Sequence, residues 1–317
     1  MKKIAILLTA VFLTVSSSIA ANITAESDVQ HYKDSDHKID LQGNVKVKYD
    51  DINVMSPRAE VIINPAQNKV EKVNFLDNAY SYQINADKKH EVKAKILEVS
   101  TLNKVFKATG RTQSSVLQGT QPTVIVTADN QEYDNQTNII KARGAVIIYY
   151  EDSQAFADYA QVDLDKNNEV KKLVLQGHAY VKQKNSTVKA NKFVHYTNTK
   201  ITTATGNVYS DINESDTQIK IWSDFQQVDQ KSNIMTASGH AIIHYKDYVA
   251  QGPKASVYPD EKTNKLNKVV FVGRSKITQE GRSVEANRIN LTLDPKDFEA
   301  EGNVKTFISN MSSGSAL

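Results

Sequence analysis

The chain has 317 residues, a formal net charge of +3 and no cysteine. So small a charge argues against a nucleic-acid partner, and the missing thiols exclude both a disulfide framework and a lipidated N-terminal cysteine. The length suits about two ordinary domains unless an internal repeat sets it.

The N-terminus opens Met1-Lys2-Lys3, continues through an apolar stretch from Ile4 to Val15 and reaches Ser16-Ser17-Ser18-Ile19-Ala20-Ala21. That order of charged, apolar and small residues is the layout of a secretory signal, with cleavage expected after Ala20. Serines interrupt the run well short of the roughly 18 apolar residues that a retained anchor would need. No later stretch approaches membrane-spanning length.

Beyond a lead-in at 21–39, glycines recur two positions after a small or apolar residue, at Gly43, Gly110, Gly144, Gly177, Gly206, Gly239, Gly273 and Gly302. Asp77 stands where one more is expected, and successive steps are 29 to 34 residues. A second landmark keeps the same phase: Ala59-Glu60, Ala94-Lys95, Ala128-Asp129, Ala157-Asp158, Ala190-Asn191, Ser223-Asp224, Ala255-Ser256 and Ala286-Asn287. The later units also pair off at 95 to 96 residues (Gly144 with Gly239, Gly177 with Gly273, Gly206 with Gly302), which suggests a duplicated three-unit block.

Within a unit the period is that of strands. Gly43-Asn-Val45-Lys-Val47-Lys-Tyr49 alternates apolar with lysine, and stretches such as Asp165-Lys166-Asn167-Asn168 read as turns. Each unit is expected to supply about three strands, on the order of 27 in all. Counting by twos from the glycines puts one apolar face inward. It carries Val45, Val47, Phe106, Val146 and Ile148, then Leu173, Leu175, Val181, Val208, Ile243, Val269 and Phe271. An apolar face needs a second sheet or an apolar ligand to cover it. The expected fold is therefore all-β, an elongated half-open two-sheet roll built from ~33-residue units.

Catalytic and metal motifs are not found. His240 and His244 lie four apart, about 13 Å along a strand, too far for a shared metal. Asp163 with Asp165, and Asp50 with Asp51, sit at expected turns, where carboxylates cap backbone amides. Neither a Gly-rich phosphate loop nor a nucleophile elbow occurs, and no cofactor is expected. Trp222 reads as a core residue, with an interface position as the alternative. Most lysines read as solvated outer-face residues, with lipid phosphate contact as the alternative.

Gly-Asn-Val at 43–45, 206–208 and 302–304, interleaved with Ala-Asp or Ala-Asn at 128–129, 157–158, 190–191 and 286–287, resembles the OstA/LptA lipopolysaccharide-transport family. The resemblance covers about 40–307, possibly as two fused modules at about 40–143 and 144–307, before a polar tail at 308–317. It implies a twisted β-jellyroll whose splayed sheets hold acyl chains, with the twelve inward residues above as the lipid-binding groove. It also implies partners: lipopolysaccharide, and inner-membrane-anchored and outer-membrane transport proteins docked through terminal β-strands, with Val45, Val47, Val304 and Phe307 as candidate edge-strand residues. Head-to-tail homo-oligomers follow from the same mode. Among relatives, the expectation is the periplasmic bridge, because neither a following barrel nor a retained N-terminal helix is read. In length the chain exceeds a usual single module. A structural or adhesive β-solenoid and a β-helical polysaccharide enzyme remain as alternatives. The adhesin would call for an anchoring domain, and the enzyme for charge concentrated on one coil face.

Overall fold

A computed structural model describes residues 23–309, except positions 50, 86–87, 151, 167–168, 215–216, 261–262, 264 and 294. The expected signal peptide at 1–20 and all but the start of the polar tail lie outside the described residues. Among the described residues every regular element is a strand apart from one 3-10 turn at Asp34–Asp36, so the fold is all-β.

Contacts divide the chain into two compact units, with the division between Gly177 and His178. The first holds β1 (Ile23–Glu26), β2 (Val29–Lys33), β3 (Lys38–Tyr49), β4 (Ile52–Asn64), β5 (Lys69–Leu76), β6 (Ala79–Asn85), β7 (Lys88–Ala94), β8 (Ile96–Ser100), β9 (Val105–Gln118), β10 (Gln121–Asp134), β11 (Ile139–Tyr150) and β12 (Ser153–Leu164). The division falls inside β13 (Val170–Gln183). The second holds β14 (Ser186–Tyr196), β15 (Ile201–Glu214), β16 (Thr217–Asp229), β17 (Ile234–Tyr245), β18 (Tyr248–Pro259), β19 (Leu266–Gln279), β20 (Arg282–Thr292), β21 (Asp297–Glu301) and β22 (Lys305–Ile308). Short polar turns join successive strands, and the neighbours pair antiparallel.

The sequence pattern reads as three strands per unit, but the structure makes two, and 22 strands replace the expected 27 among the described residues. The legs before and after each glycine are one bent strand. In β11, Ile140, Ala142, Val146 and Ile148 are all buried, so one face continues through Gly144. Register slips there, with Arg143 facing Tyr159 and Val146 facing Ala157, which leaves one extra residue on β11. Gly144 and Ala145 both take positive φ, 77° and 45°. This is a β-bulge, which bends the strand while keeping its inward face in phase. Alternation alone cannot tell such a strand from two separate ones.

The second landmark is the partner of this bend. An aspartate or asparagine on the preceding strand packs against the glycine: Asp129 on Gly144, Asn191 on Gly206, Asp224 on Gly239. At two strands the landmark was read at the wrong place. Register puts the bends of β4 and β18 at Ser56-Pro57 and Gly252-Pro253, ahead of Ala59-Glu60 and Ala255-Ser256. Both prolines fall where the ladder skips a residue, so the missing N–H costs no hydrogen bond. Asp77 and Asn78 hold the degenerate bend, with φ of 64° and 72°, in the left-handed region that such side chains tolerate.

Both arms of a bent strand feed one core. In the second unit Met235 and Ala237 precede Gly239 while Ala241, Ile243 and Tyr245 follow it, and all five join one apolar cluster with Phe271, Ile277 and Ile289. Stacked arms thus form two walls around a shared interior, the arrangement of a β-jellyroll. A further correction concerns the N-terminal edge. The lead-in carries β1 and β2, which pair with β3 at Ala25–Val47 and Val29–Gln42, while β4 covers its other side. Val45 and Val47 are therefore interior, and the edge lies on β1 and β2. All nine residues of these two strands are exposed, so no buried face betrays them in the sequence.

Candidate functional site

All twelve inward candidates are buried. In the first unit Val45, Val47, Val146 and Ile148 follow a bulge glycine and line one wall, while Phe106, Leu173 and Leu175 precede one and line the other. In the second unit Val181, Val208 and Ile243 follow a bulge glycine while Val269 and Phe271 precede one, and Ile243 joins Val269 and Phe271 in one apolar cluster. Here a cavity of about 40 Å3 lies among Val181, Phe193, Ala204, Ile212, Val228 and Met235.

The interior is not uniformly apolar, a feature the sequence reading missed. Ser114 Oγ donates to Gln131 Oε1 at 2.5 Å in the first unit, and Ser210 Oγ donates to Gln226 Oε1 at 2.6 Å in the second. All four residues are buried. Each serine lies four residues past a bulge glycine, each glutamine two past the facing aspartate, so each bond ties one wall to the other beside the bend. The serines are 96 residues apart and the glutamines 95, so the larger repeat period carries the signal. Within the first interior, fully buried Tyr133 stacks on Phe106 with centroids 6.4 Å apart and donates to Asn135 at 3.0 Å. Burial pushes its phenol up to about 12, which keeps it a neutral donor.

Away from the bends, the two walls of the second unit are latched. Tyr245 Oη donates to the Leu293 carbonyl at 3.0 Å, and Tyr248 meets Phe298 edge-on at 6.5 Å. Lys296 Nζ lies 2.5 Å from Asp247 and 4.0 Å from the centre of the Tyr248 ring. The Lys296 ammonium, then the Gln279 amide, pull the Asp247 carboxyl down to about 2. Because that value is depressed, the pair's contribution is present above the ordinary aspartate value of about 4 and is lost as pH falls toward 2.

The far end of this unit is open. A cavity of about 230 Å3 is lined by Tyr248, Ile277, Val284, Phe298, Thr306 and Ile308. Among the described residues β22 pairs with β20 alone, and Val304, Phe307 and Ile308 are exposed. In the first unit Ile23 on β1 and Val29 and Tyr32 on β2 are exposed.

The other singled-out residues fall elsewhere. His240 Nδ1 lies 2.9 Å from Asp224, while His244 packs on Trp222, so the two histidines serve different neighbours. Asp163 lies 3.8 Å from Lys172, and Asp165 accepts from the Glu169 amide at 2.9 Å, a turn-capping bond. Asp51 accepts from Gln83 at 2.6 Å, and Asp50 lies outside the described residues. Trp222 is not a core residue: it stands on the outer face, partly exposed, between buried Ile221 and Ser223.

Comparison with known proteins follows the repeat. The family model described as LptA/(LptD N-terminal domain) LPS transport protein matches residues 24–121 and again 125–219, together more than half of the chain. The bends at Gly239, Gly273 and Gly302 continue the pattern past the second match. No curated protein matches. Among solved structures, the chain is similar to LptH, the LptA-homologous periplasmic component of the conserved lipopolysaccharide transport device of Pseudomonas aeruginosa. Identity is 16% and the TM-score 0.34, over 39% of this chain and 83% of that one. Two tandem matches on a bulged, two-walled β fold with an apolar interior place the chain in the family of LptA and the LptD N-terminal domain, the lipopolysaccharide transport proteins.

Proposed function

We propose that the chain is a periplasmic bridge that carries lipopolysaccharide between the inner and outer membranes, holding the acyl chains between its walls and catalysing no reaction. The observation that supports this reading best is the mainly apolar inward face shared by both arms of the bent strands. Acyl chains covered by such a face are kept from water at roughly 25 cal/mol per Å2 of apolar area. Wall residues such as Ile148, Ile243 and Phe271 are fully buried against their neighbours, so cargo reaches them as the walls part. In the second unit that means releasing the Tyr245–Leu293 and Asp247–Lys296 contacts, which are few and partly at the surface.

The test is photo-crosslinking from single positions in the exporting cell. Probes at Ile148, Val181 and Ile243 are expected to capture lipopolysaccharide, while probes at the exposed Lys46 and Lys182 are not. Equal capture from both sets sinks the reading. Lys296→Ala is expected to increase capture at Ile243, and unchanged capture would remove the latch from the entry path.

The same reading makes the exposed edges docking strands for transport partners and for a second copy. The two edges are of opposite kinds. β1 and β2 form a strand of the aspartate type, with Asp28 against Gly43, and β21 and β22 form one of the glycine type, with Gly302 and Asn303 at φ 73° and 52°. Within the chain these types alternate, and a head-to-tail joint continues the alternation.

A further inference from the structure

One row of side chains crosses the outer face of the second unit in strict register. Lys189 faces Tyr209, Tyr209 faces Trp222, Trp222 faces Ile242, Ile242 faces Gln251, Gln251 faces Lys276 and Lys276 faces Glu285. Its first half is aromatic. The Tyr209 and Trp222 rings lie 5.2 Å apart at 43°, Trp222 and His244 lie 4.7 Å apart at 59°, and Lys189 Nζ sits 5.7 Å from the Tyr180 ring. None of these side chains joins the apolar cluster inside.

The second half of the row opens into a hollow of about 760 Å3, lined by Ile242, Gln251, Pro253, Arg274, Lys276 and Glu285. At most bends an aspartate or asparagine side chain packs on the next glycine, but β18 carries Gly252-Pro253 there, so the Pro253 ring meets Gly273 and this corner holds no carboxylate or amide. Arg274 and Lys276 share a single carboxylate, Glu285, at 3.6 and 3.7 Å. That leaves cationic donors for an incoming anion.

Flat rings with a polar rim match the pyranose ring, whose C–H face is apolar and whose edge is hydroxyl. Here the rim is supplied by Tyr209 Oη, 3.1 Å from Asp211, and by the Gln218 amide, 2.9 Å from the same carboxylate. An arginine and a lysine beside such a platform match phosphate. The volume lies in the range of small-ligand sites. An acyl chain fits poorly, because the rings stand among charged and amide groups. We propose that this strip binds the phosphorylated saccharide of lipopolysaccharide, holding on the outside the polar part of a cargo whose lipid part lies inside. The source of the saccharide rests on the transport reading above; the site itself rests on the register, the rings and the hollow.

Trp222 is the only tryptophan in the sequence, so intrinsic fluorescence reports on the strip alone. The probe is the lipid-free phosphorylated oligosaccharide released from lipopolysaccharide by mild acid, titrated into the full chain. The expected result is a saturable change in emission, with affinity lowered at least tenfold by Arg274→Ala with Lys276→Ala, and lowered likewise by removing the probe's phosphates. Unchanged emission together with no heat of binding by calorimetry overturns the proposal. So does equal binding of a neutral glucan or of peptidoglycan fragments, or undiminished binding by the double variant with an unchanged circular dichroism spectrum. Because the probe has no acyl chain, its failure leaves lipid capture at Ile243 untouched, and failed capture at Ile243 leaves this titration readable.

Discussion

Replacing Gly239 by alanine is expected to lower the stability of the second unit by about 3 kcal/mol, the sum of backbone strain and overpacking. The residue sits at φ +72°, where an L side chain costs about 1–2 kcal/mol. A Cβ there would also stand 2.7 Å from the Cβ of Asp224, an atom fixed to the facing backbone and unable to swing aside. Two comparisons separate the terms. Gly119 has φ +63° and nothing within 4 Å of its would-be Cβ among the described residues, so Gly119→Ala carries only the backbone cost of about 1 kcal/mol. Asp224→Gly removes the obstacle, so adding Gly239→Ala to it is expected to cost about 1–2 kcal/mol. Asp224→Gly by itself loses an exposed bond to His240 and is expected to change little. Urea denaturation followed by far-ultraviolet circular dichroism, with Trp222 emission for the second unit, measures each. Equal losses for Gly239→Ala and Gly119→Ala would show that the bend tolerates a side chain.

The bends also explain which parts of the fold were legible. Glycine spacing marks them because a left-handed φ and a close neighbour together admit little else, and the inward face could be counted from them because a bulge keeps its phase. Val146, Ile148, Val269 and Phe271 were found this way and are buried. Strand number was not legible, since alternation on each side of Gly144 is the same whether the chain bends or stops. The bends of β4 and β18 were misplaced because proline does there, by lacking an N–H, what aspartate or asparagine does elsewhere by its side chain. Trp222 was misassigned on residue type, whereas parity with buried Ile221 puts it outside. The wall-to-wall pairs were hidden for a different reason. A lone serine or glutamine on an apolar face reads as noise until two copies, 96 and 95 residues apart, are seen to satisfy each other.

That period also predicts how two copies join. Inside the chain, the residue before a bulge glycine faces the one after the next aspartate, as Thr205 faces Phe225, and Val208 then faces Ser223. Carried to Gly302 of one copy and Asp28 of the next, the rule sets Glu301 opposite Val29, Lys305 opposite Glu26 and Ile308 opposite Ile23. Thr306, which lines the open end, takes the place of Ser210, and Gln30 takes that of Gln226. The two edges thus carry the halves of a third wall-to-wall pair. At most other bends these two positions are apolar together, as Ile148 with Ala160 and Ile243 with Ala255, the exception being buried Ser81 with Leu97 at the Asp77 bend. A buried polar group left without its partner costs about 1–3 kcal/mol, whereas replacing both partners is nearly neutral. Thr306→Ile alone and Gln30→Ala alone are therefore expected to weaken self-association about tenfold or more, and the two together to restore it. Sedimentation velocity over a concentration series reads all four proteins. Single-variant losses that simply add in the double variant, or association that none of the changes moves, would place the joint in another register or on another surface.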